Sequence, residues 1–511
     1  MARRLAATLA GMAALAITPA HGAAGDVCAP FSAIGSHDVR IERLTPVGPD
    51  HPLMLTALGD APITQRFCRI EGRIETEIGF ELWLPERSAW NERLLVGGVG
   101  GQAGTVNYRE LARAVARGYA GASTDSGHRA DDRLWLLGRA DRAANYAGRA
   151  NHLLALRSKA MLNAAYGTLP RHAFFVGCSG GGRQALTEVQ RYPTDFDGVI
   201  AGAPGVNTPE MSARRLWEMQ RHSAWGAMMP AAAWSLAYRG AIAQCDGLDG
   251  KQDGVVADPR QCHFDPASLG CQPGATNACL TPPQIAAVRT LMAPLSDETG
   301  KQLDDGLLPT VPVSPAPLPE PFTPGPSYLA TVLFAQGVHG DANWDGRQFR
   351  LDHDLPAIDR VMNLHADNPA IEPFIAHGGK LILYQGWDDP LVSAQSTLAY
   401  HAALAARFGG RLNDAVRLFM LPGVEHCRGG PGEDLFGGAG GDAPVADPQH
   451  DLLSALEDWI LSGRAPASIT ASKLRGGAVV STRLICAWPA RAVEFPTAGG
   501  TGPVRFECLE G

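Results

Sequence analysis

The chain has no excess of positive charge, no internal repeat and, beyond its first two dozen residues, no long apolar run. The formal net charge is −8. Removing residues 1–24 takes away Arg3 and Arg4 and no acid, which turns −8 into −10. A chain of that sign is a poor partner for nucleic acid or an anionic membrane surface. No segment after residue 24 offers the roughly 20 apolar residues of a spanning helix, so no membrane partner is expected. The missing repeat excludes solenoids and propellers. Charged residues make up only 19%, but hydrophobic residues make up 45%, a globular rather than a disordered composition.

The N-terminus reads Met1-Ala2-Arg3-Arg4, then an uncharged stretch from Leu5 to Pro19, then small residues to Ala24. A positive start, a short apolar run and a small-residue exit describe a secretory signal peptide over 1–24. The expected location is therefore secreted or periplasmic. Ten cysteines, all after residue 24, agree with export into an oxidising compartment. Their connectivity does not follow from the count. Cys245 and Cys262 bracket one polar loop and Cys271 and Cys279 another. Cys28 and Cys68 suit a staple for the N-terminal segment, and Cys486 and Cys508 close a C-terminal tail.

Short apolar strands alternate with helical patterns through the first part of the chain. Strands are expected at Phe80–Leu84, Arg93–Val96, Tyr119–Thr124, Ala173–Val176 and Val199–Gly202, with one long helix over 141–165 and another over Arg183–Tyr192. This alternation predicts a parallel sheet covered on both faces. It stops over residues 205–375, which hold tryptophans, prolines, four cysteines and an acidic loop. It resumes with strands at Lys380–Tyr384 and Val416–Met420 and helices near 394–408 and 449–462. The expected organisation is a core over 25–204 and 376–511, interrupted by a lid over 205–375.

Gly177-Cys178-Ser179-Gly180-Gly181 is a G-x-S-x-G pattern placed after a buried strand and before a helix. That placement forms the strained turn that lifts a serine out of an α/β-hydrolase sheet. Ser179, Asp389 and His426 follow the chain order Ser…Asp…His of such enzymes, each after an expected strand. In this reading Ser179 attacks an acyl carbonyl, His426 moves its proton, and Asp389 fixes the imidazole. Asp388 is a rival to Asp389; the proline at 390 favours the latter. If His426 is the base, Cys178 and Cys427, one residue from each reacting group, must lie close enough to bridge. The oxyanion hole needs backbone N–H donors. Gly180, after the nucleophile, is one candidate, and the run Gly97-Gly98-Val99-Gly100-Gly101 supplies the other, Gly101 being preferred to Gly100.

The segment from Cys245 to Val256 sets Asp246, Asp249 and Asp253 within eight residues of a glycine-bent loop. Three carboxylates with backbone carbonyls suit a hard cation such as Ca²⁺, although the spacing is not that of an EF-hand. The alternative is a solvated acidic turn. Any ion here would be structural.

Taken together, Gly177-Cys178-Ser179-Gly180-Gly181-Gly182, Gly386-Trp387-Asp388-Asp389-Pro390, His426-Cys427-Arg428-Gly429-Gly430 and the aspartate loop resemble the tannase/feruloyl esterase family, which includes feruloyl esterases, tannases and a mono(2-hydroxyethyl) terephthalate hydrolase. The resemblance implies an α/β-hydrolase core with a large inserted lid domain and supports Asp389 as the acid. It implies a structural Ca²⁺ held by the side chains of Asp246, Asp249 and Asp253 and the carbonyls of Lys251 and Val255. It implies five bridges: Cys28–Cys68, Cys178–Cys427, Cys245–Cys262, Cys271–Cys279 and Cys486–Cys508. The chain departs from the family in lacking an asparagine within the glycine run. The lid residues that select substrate do not carry over.

The expected activity is therefore hydrolysis of a small aromatic-acid ester, of hydroxycinnamate, gallate or terephthalate-monoester type. A peptidase on the same fold and a non-catalytic hydrolase-fold binding protein are the alternatives. Such binders usually lose a member of the triad, and this chain keeps all three. Several of the ten tryptophans lie in or near the insertion and are candidates for an aromatic acyl pocket, though most suit core positions.

Overall fold

A computed structural model of the 511-residue chain describes residues 27–31, 38–59, 61–225, 229–274, 278–313, 329–495 and 505–510. The expected signal peptide lies outside the described residues, as does most of the proline-dense connector over 309–326.

Nine strands form one sheet: β1 (Val39–Val47), β2 (Phe67–Ile74), β3 (Ile78–Pro85), β4 (Arg93–Gly97), β5 (Ala120–Thr124), β6 (His172–Cys178), β7 (Gly198–Gly202), β8 (Lys380–Gly386) and β9 (Val416–Leu421). Their spatial order is β1-β2-β3-β5-β4-β6-β7-β8-β9. The first three strands run antiparallel as a meander and β5 pairs antiparallel with β3; every later pairing is parallel. The parallel strands read as unbroken apolar runs because both faces are covered. Along β6, Ala173, Phe174, Phe175 and Val176 are all buried. One face packs on the helices Ala150–Tyr166, Gly180–Arg191 and Ala394–Phe408 through Leu154, Leu162, Leu186 and Leu404. The other packs on Tyr108–Ala116 and Leu452–Ser462 through Ala114, Leu453, Leu456 and Trp459. The result is an α/β-hydrolase fold.

The chain between β7 and β8 is mainly helical, with helices Thr208–Trp225, Ala231–Cys245, Pro282–Met292 and Leu351–Val361. It builds small cores of its own. In one, Leu216, Met219 and Phe334 pack with Trp135 and Tyr146, residues that precede the insertion. In another, Trp234, Ala237, Leu280 and Leu291 meet. Two hairpins end the described chain: β10 (Ser468–Arg475) with β11 (Ala478–Cys486), and β12 (Arg491–Phe495) with β13 (Arg505–Leu509). Among the described residues no helix is long and apolar enough to cross a membrane.

One expectation is corrected. The segment 141–165 is not a continuous helix. Ala140–Ala144 leads into a π-helical turn at Asn145–Arg149, and the α-helix starts again at Ala150. Gly148 sits there at φ 146°, and a Cβ on it would approach Thr187 Cγ2 to 2.6 Å. The periodicity of apolar residues hid this break because the π-turn keeps Tyr146 and Ala147 on a buried face.

All ten cysteines are paired as the resemblance implied: Cys28–Cys68, Cys178–Cys427, Cys245–Cys262, Cys271–Cys279 and Cys486–Cys508.

Candidate active site

Strand β6 delivers Ser179 into a sharp turn before the helix Gly180–Arg191. Ser179 has φ 62° and ψ −124°, a backbone conformation that a side-chain-bearing residue adopts only under constraint. The constraint is visible: its N–H donates to Gly202 O (3.0 Å) on the neighbouring strand, and its carbonyl accepts from Arg183 N (2.9 Å). The turn is tight enough that a Cβ on Gly177 would lie 2.3 Å from Gly181 O, which is why glycine stands there.

Asp388 and Asp389 follow β8 and are both buried, yet they face different partners. Asp389 Oδ2 and Oδ1 lie 2.8 and 3.0 Å from His426 Nδ1. The Asp389 carboxylate also accepts from Leu391 N (2.8 Å), Val392 N (2.9 Å) and Gln385 Nε2 (3.2 Å). Three donors therefore hold one carboxylate in place against the imidazole. Asp388 instead accepts from Thr310 Oγ1 at 2.7 Å, a contact between the core and the inserted segment. Burial, reinforced by the nearby Glu425 carboxylate, pushes the Asp388 carboxyl up to about 7 despite the Thr310 hydrogen bond. Of the two rivals, Asp389, the one favoured from sequence, is the residue that touches the histidine.

The residues next to Ser179 and His426 are covalently linked, which ties the serine turn to the histidine loop. The Cys178–Cys427 bridge spans 249 residues of chain with a Cα–Cα distance of 6.0 Å. Cys427 itself lies at φ 65°, so both loops turn sharply beside the bridge.

The glycine run after β4 reaches the nucleophile turn. A Cβ on Gly180 would lie 3.1 Å from Gly101 N, and one on Gly100 would lie 3.6 Å from Ser179 Cβ. The run is fixed from outside: Gln184 Oε1 accepts from Val99 N (2.9 Å), and Asn107 Nδ2 donates to Gly98 O (2.7 Å). The serine, both oxyanion candidates and apolar residues of the inserted segment share one cavity of about 370 Å³. Ser179, Gly180 and Gly101 line it together with Met211, Met219 and Leu391. No tryptophan belongs to its described lining; Trp234 and Trp344 take the core role expected of most tryptophans, in the insertion's own cores, rather than that of an aromatic pocket. A larger cavity of about 770 Å³ lies between the aspartate loop and the C-terminal hairpins and contains none of Ser179, Asp389 and His426.

In the aspartate loop the three carboxylates point to backbone N–H groups. Asp246 accepts from Gly254 N (2.9 Å), Asp249 from Lys251 N (3.0 Å) and Asp253 from Val255 N (3.1 Å). Asp253 also accepts from Arg483 Nη2 (2.8 Å). Among the described residues no three acidic or imidazole side chains converge as a metal-ligating group. The donor set is the hard-oxygen set that Ca²⁺ takes, but in this arrangement Asp253 is turned to a guanidinium.

Sequence reasoning passed over Gln385, Gln184 and Tyr146. The two glutamines fall inside ordinary strand and helix patterns; Gln184 reaches Val99 and Ser126 far along the chain, whereas Gln385 turns back on Asp389 and Val392 just beyond its own strand.

Comparison with known proteins follows the same lines. The model of the tannase and feruloyl esterase family matches residues 62–316 and 330–500. The chain belongs to that family. It is 34% identical to an uncharacterized esterase of Xanthomonas campestris pv. campestris, over 99% of this chain and 95% of the relative. It is 31% identical to a probable feruloyl esterase B-1 of Aspergillus terreus, over 88% of this chain and 87% of the relative. The structure superposes on feruloyl esterase B from Aspergillus oryzae with a TM-score of 0.85, at 25% identity, covering 95% of this chain and 99% of that one. A tannin acyl hydrolase from Aspergillus niger shares the fold, with a TM-score of 0.72 at 22% identity over 93% of this chain and 92% of that one. The protein is a carboxylic ester hydrolase of this family, and the esterase acts on a small-molecule ester.

Proposed function

We propose that this esterase is exported and hydrolyses esters of aromatic acids, of hydroxycinnamate, gallate or terephthalate-monoester type, through Ser179, His426 and Asp389. The observation that carries the reading is the Asp389–His426 pair, held at 2.8 Å and tied by Cys178–Cys427 to a strained serine. In acylation, Ser179 Oγ bonds to the ester carbonyl carbon while His426 takes its proton. The carbonyl π pair moves to oxygen, where the N–H groups of Gly180 and Gly101 receive it. Collapse expels the alcohol, which takes the proton from His426. Water then repeats the sequence on the acyl-enzyme and releases the acid. Asp389 holds the proton-bearing face of the imidazole toward itself, leaving the other nitrogen for serine and alcohol. The apolar lining from Met211, Met219 and Leu391 suits a flat acyl group, as the names of the feruloyl esterase relatives suggest. Five disulfides support a destination in an oxidising compartment.

The test is a panel of methyl ferulate, methyl gallate and a terephthalate monoester, run with wild type and Ser179→Ala. Turnover of at least one aromatic ester, lost in the variant, is expected. Preference for aliphatic acyl esters, or turnover that survives the variant, defeats the reading.

A structural Ca²⁺ in the loop of Asp246, Asp249 and Asp253, with the carbonyls of Lys251 and Val255, is part of the same proposal. Its support is the oxygen donor set within one loop stapled by Cys245–Cys262, and binding requires Asp253 to leave Arg483. The ion would supply folding stability and no step of the chemistry.

A further inference from the structure

Tyr146 occupies the π-helical turn that interrupts the expected long helix, and its hydroxyl donates to Gly101 O at 2.7 Å. Single π-turns within helices recur at functional sites. This one redirects the phenol toward the glycine run. Gly101 stands at φ 57°, with a peptide on either side that must be aimed if its N–H is to face the nucleophile. The peptide before it is held where Ala103 N donates to Gly100 O (3.1 Å). In a trans peptide the N–H of Gly101 points opposite to that carbonyl. The peptide after it is held by the Tyr146 hydroxyl. Trp135 Nε1 adds a bond to Gln102 Oε1 at 3.1 Å.

The phenol is itself immobilised. Tyr146 is fully buried. The Arg183 guanidinium lies over its ring at 4.8 Å, and Arg183 Nη2 donates to its carbonyl at 3.0 Å. Trp135 packs against the same ring at 5.2 Å. Arg183 is the fourth residue after Ser179, on the nucleophile helix. A rigid path thus runs from that helix through Tyr146 to Gly101, and it sets the oxyanion loop relative to the serine.

We propose that Tyr146 is the positioning residue of the oxyanion hole, fixing Gly101 so that its N–H meets the developing oxyanion. This rests on the reading of Ser179 as nucleophile and Gly101 as donor. The hydroxyl is the target, since Tyr146→Phe keeps the ring, the guanidinium over it and the Arg183 bond to its backbone carbonyl.

Loss of a direct oxyanion donor lowers kcat about 10²–10³-fold. Loosening one donor is expected to lower it about tenfold to a hundredfold. The experiment compares full-length wild type and Tyr146→Phe on an aryl ester and the matching thionoester, whose sulfur accepts hydrogen bonds poorly. Expected is a kcat loss of that size on the oxygen ester with KM within about threefold. The preference for oxygen over sulfur should narrow by a comparable factor, because the hole contributes little to the thionoester. An unchanged oxygen-to-sulfur preference overturns the proposal, whatever happens to kcat. If Tyr146→Phe fails to fold, Trp135→Ala, which removes the ring packed on Tyr146 at 5.2 Å and so frees its hydroxyl from Gly101, takes its place, and an unchanged preference there overturns the proposal. Ser179→Ala run alongside separates the two readings. A dead Ser179→Ala with an unaltered Tyr146→Phe refutes the positioning role alone, and an active Ser179→Ala refutes the nucleophile.

Discussion

Replacing each of the two adjacent aspartates by asparagine should give opposite results. In Asp389→Asn the carboxylate that lies 2.8 Å from His426 Nδ1 becomes neutral. Coulomb's law at that distance, with an effective dielectric of about 20, gives roughly 6 kcal/mol of lost attraction to the imidazolium that forms in the transition state. That corresponds to about four decades in rate. A second effect acts in the same direction. The backbone N–H groups of Leu391 and Val392 keep the side-chain oxygen on their side, which turns the amide NH₂ toward Nδ1 and favours the wrong imidazole tautomer. Asp389→Asn should therefore lower kcat about 10⁴-fold with a small change in KM. Asp388→Asn keeps an acceptor for Thr310 and leaves His426 untouched, so kcat should stay within about threefold. Steady-state kinetics on an aryl ester, with folding checked by circular dichroism, compares the two variants directly. A severe Asp388→Asn beside a mild Asp389→Asn would refute the assignment and the geometry behind it.

Other expected outcomes address stability. The buried Asp388 carboxyl, raised to about 7 from an unfolded value near 3.9, favours the fold fully below about pH 4 and ceases to do so as pH climbs through 7. Wild type should lose up to on the order of 4 kcal/mol across that window relative to Asp388→Asn; equal pH slopes of the urea midpoint in both would contradict this. A double Cys178→Ala/Cys427→Ala variant should lose more kcat/KM than stability, because the bridge fixes two loops that must meet to within about 0.5 Å. The bare loop-entropy figure for a separation of 249 residues is on the order of 5 kcal/mol, but the four other bridges already restrict the unfolded chain. Full activity with a large fall in midpoint would reduce that bridge to a staple. Chelator should lower the thermal midpoint without altering kcat, and Asp249→Ala should reproduce the loss and be insensitive to further chelator; an unchanged midpoint speaks against the ion.

The parts of the fold that sequence made legible are those whose cause is local. Strands β4 to β9 announce themselves as short apolar runs because both faces are buried, and the serine turn is marked by glycines that backbone contacts demand. Strand β1 escaped, since its edge position leaves Arg40, Glu42 and Arg43 interspersed with apolar residues and Pro46 within it. The hairpin of β10 and β11 escaped because Ala478 to Thr482 is exposed and carries no apolar alternation. Within the site, the preference for Asp389 over Asp388 was legible from Pro390 and the family resemblance, and its physical reason is the contact with His426, 37 residues away. Tyr146 was silent because it acts through Gly101, 45 residues away, and Gln385 because a glutamine inside an apolar strand does not show that its amide turns to Asp389. Size and aromaticity fit a pocket and a small core equally well, and the insertion uses Trp234 and Trp344 for the core positions that most tryptophans were expected to take.

The length of chain between Cys178 and Cys427 also bears on biosynthesis. At about 5–20 residues per second, Cys427 is made roughly 12–50 s after Cys178. During that interval Cys245, Cys262, Cys271 and Cys279 emerge, and each is a nearer thiol for Cys178 than its native partner. Oxidation in order of emergence would join Cys178 to Cys245 and leave the serine and histidine loops apart. Oxidation in that order would make exchange of early disulfides a step of maturation, and a disulfide isomerase would then raise the yield of active enzyme.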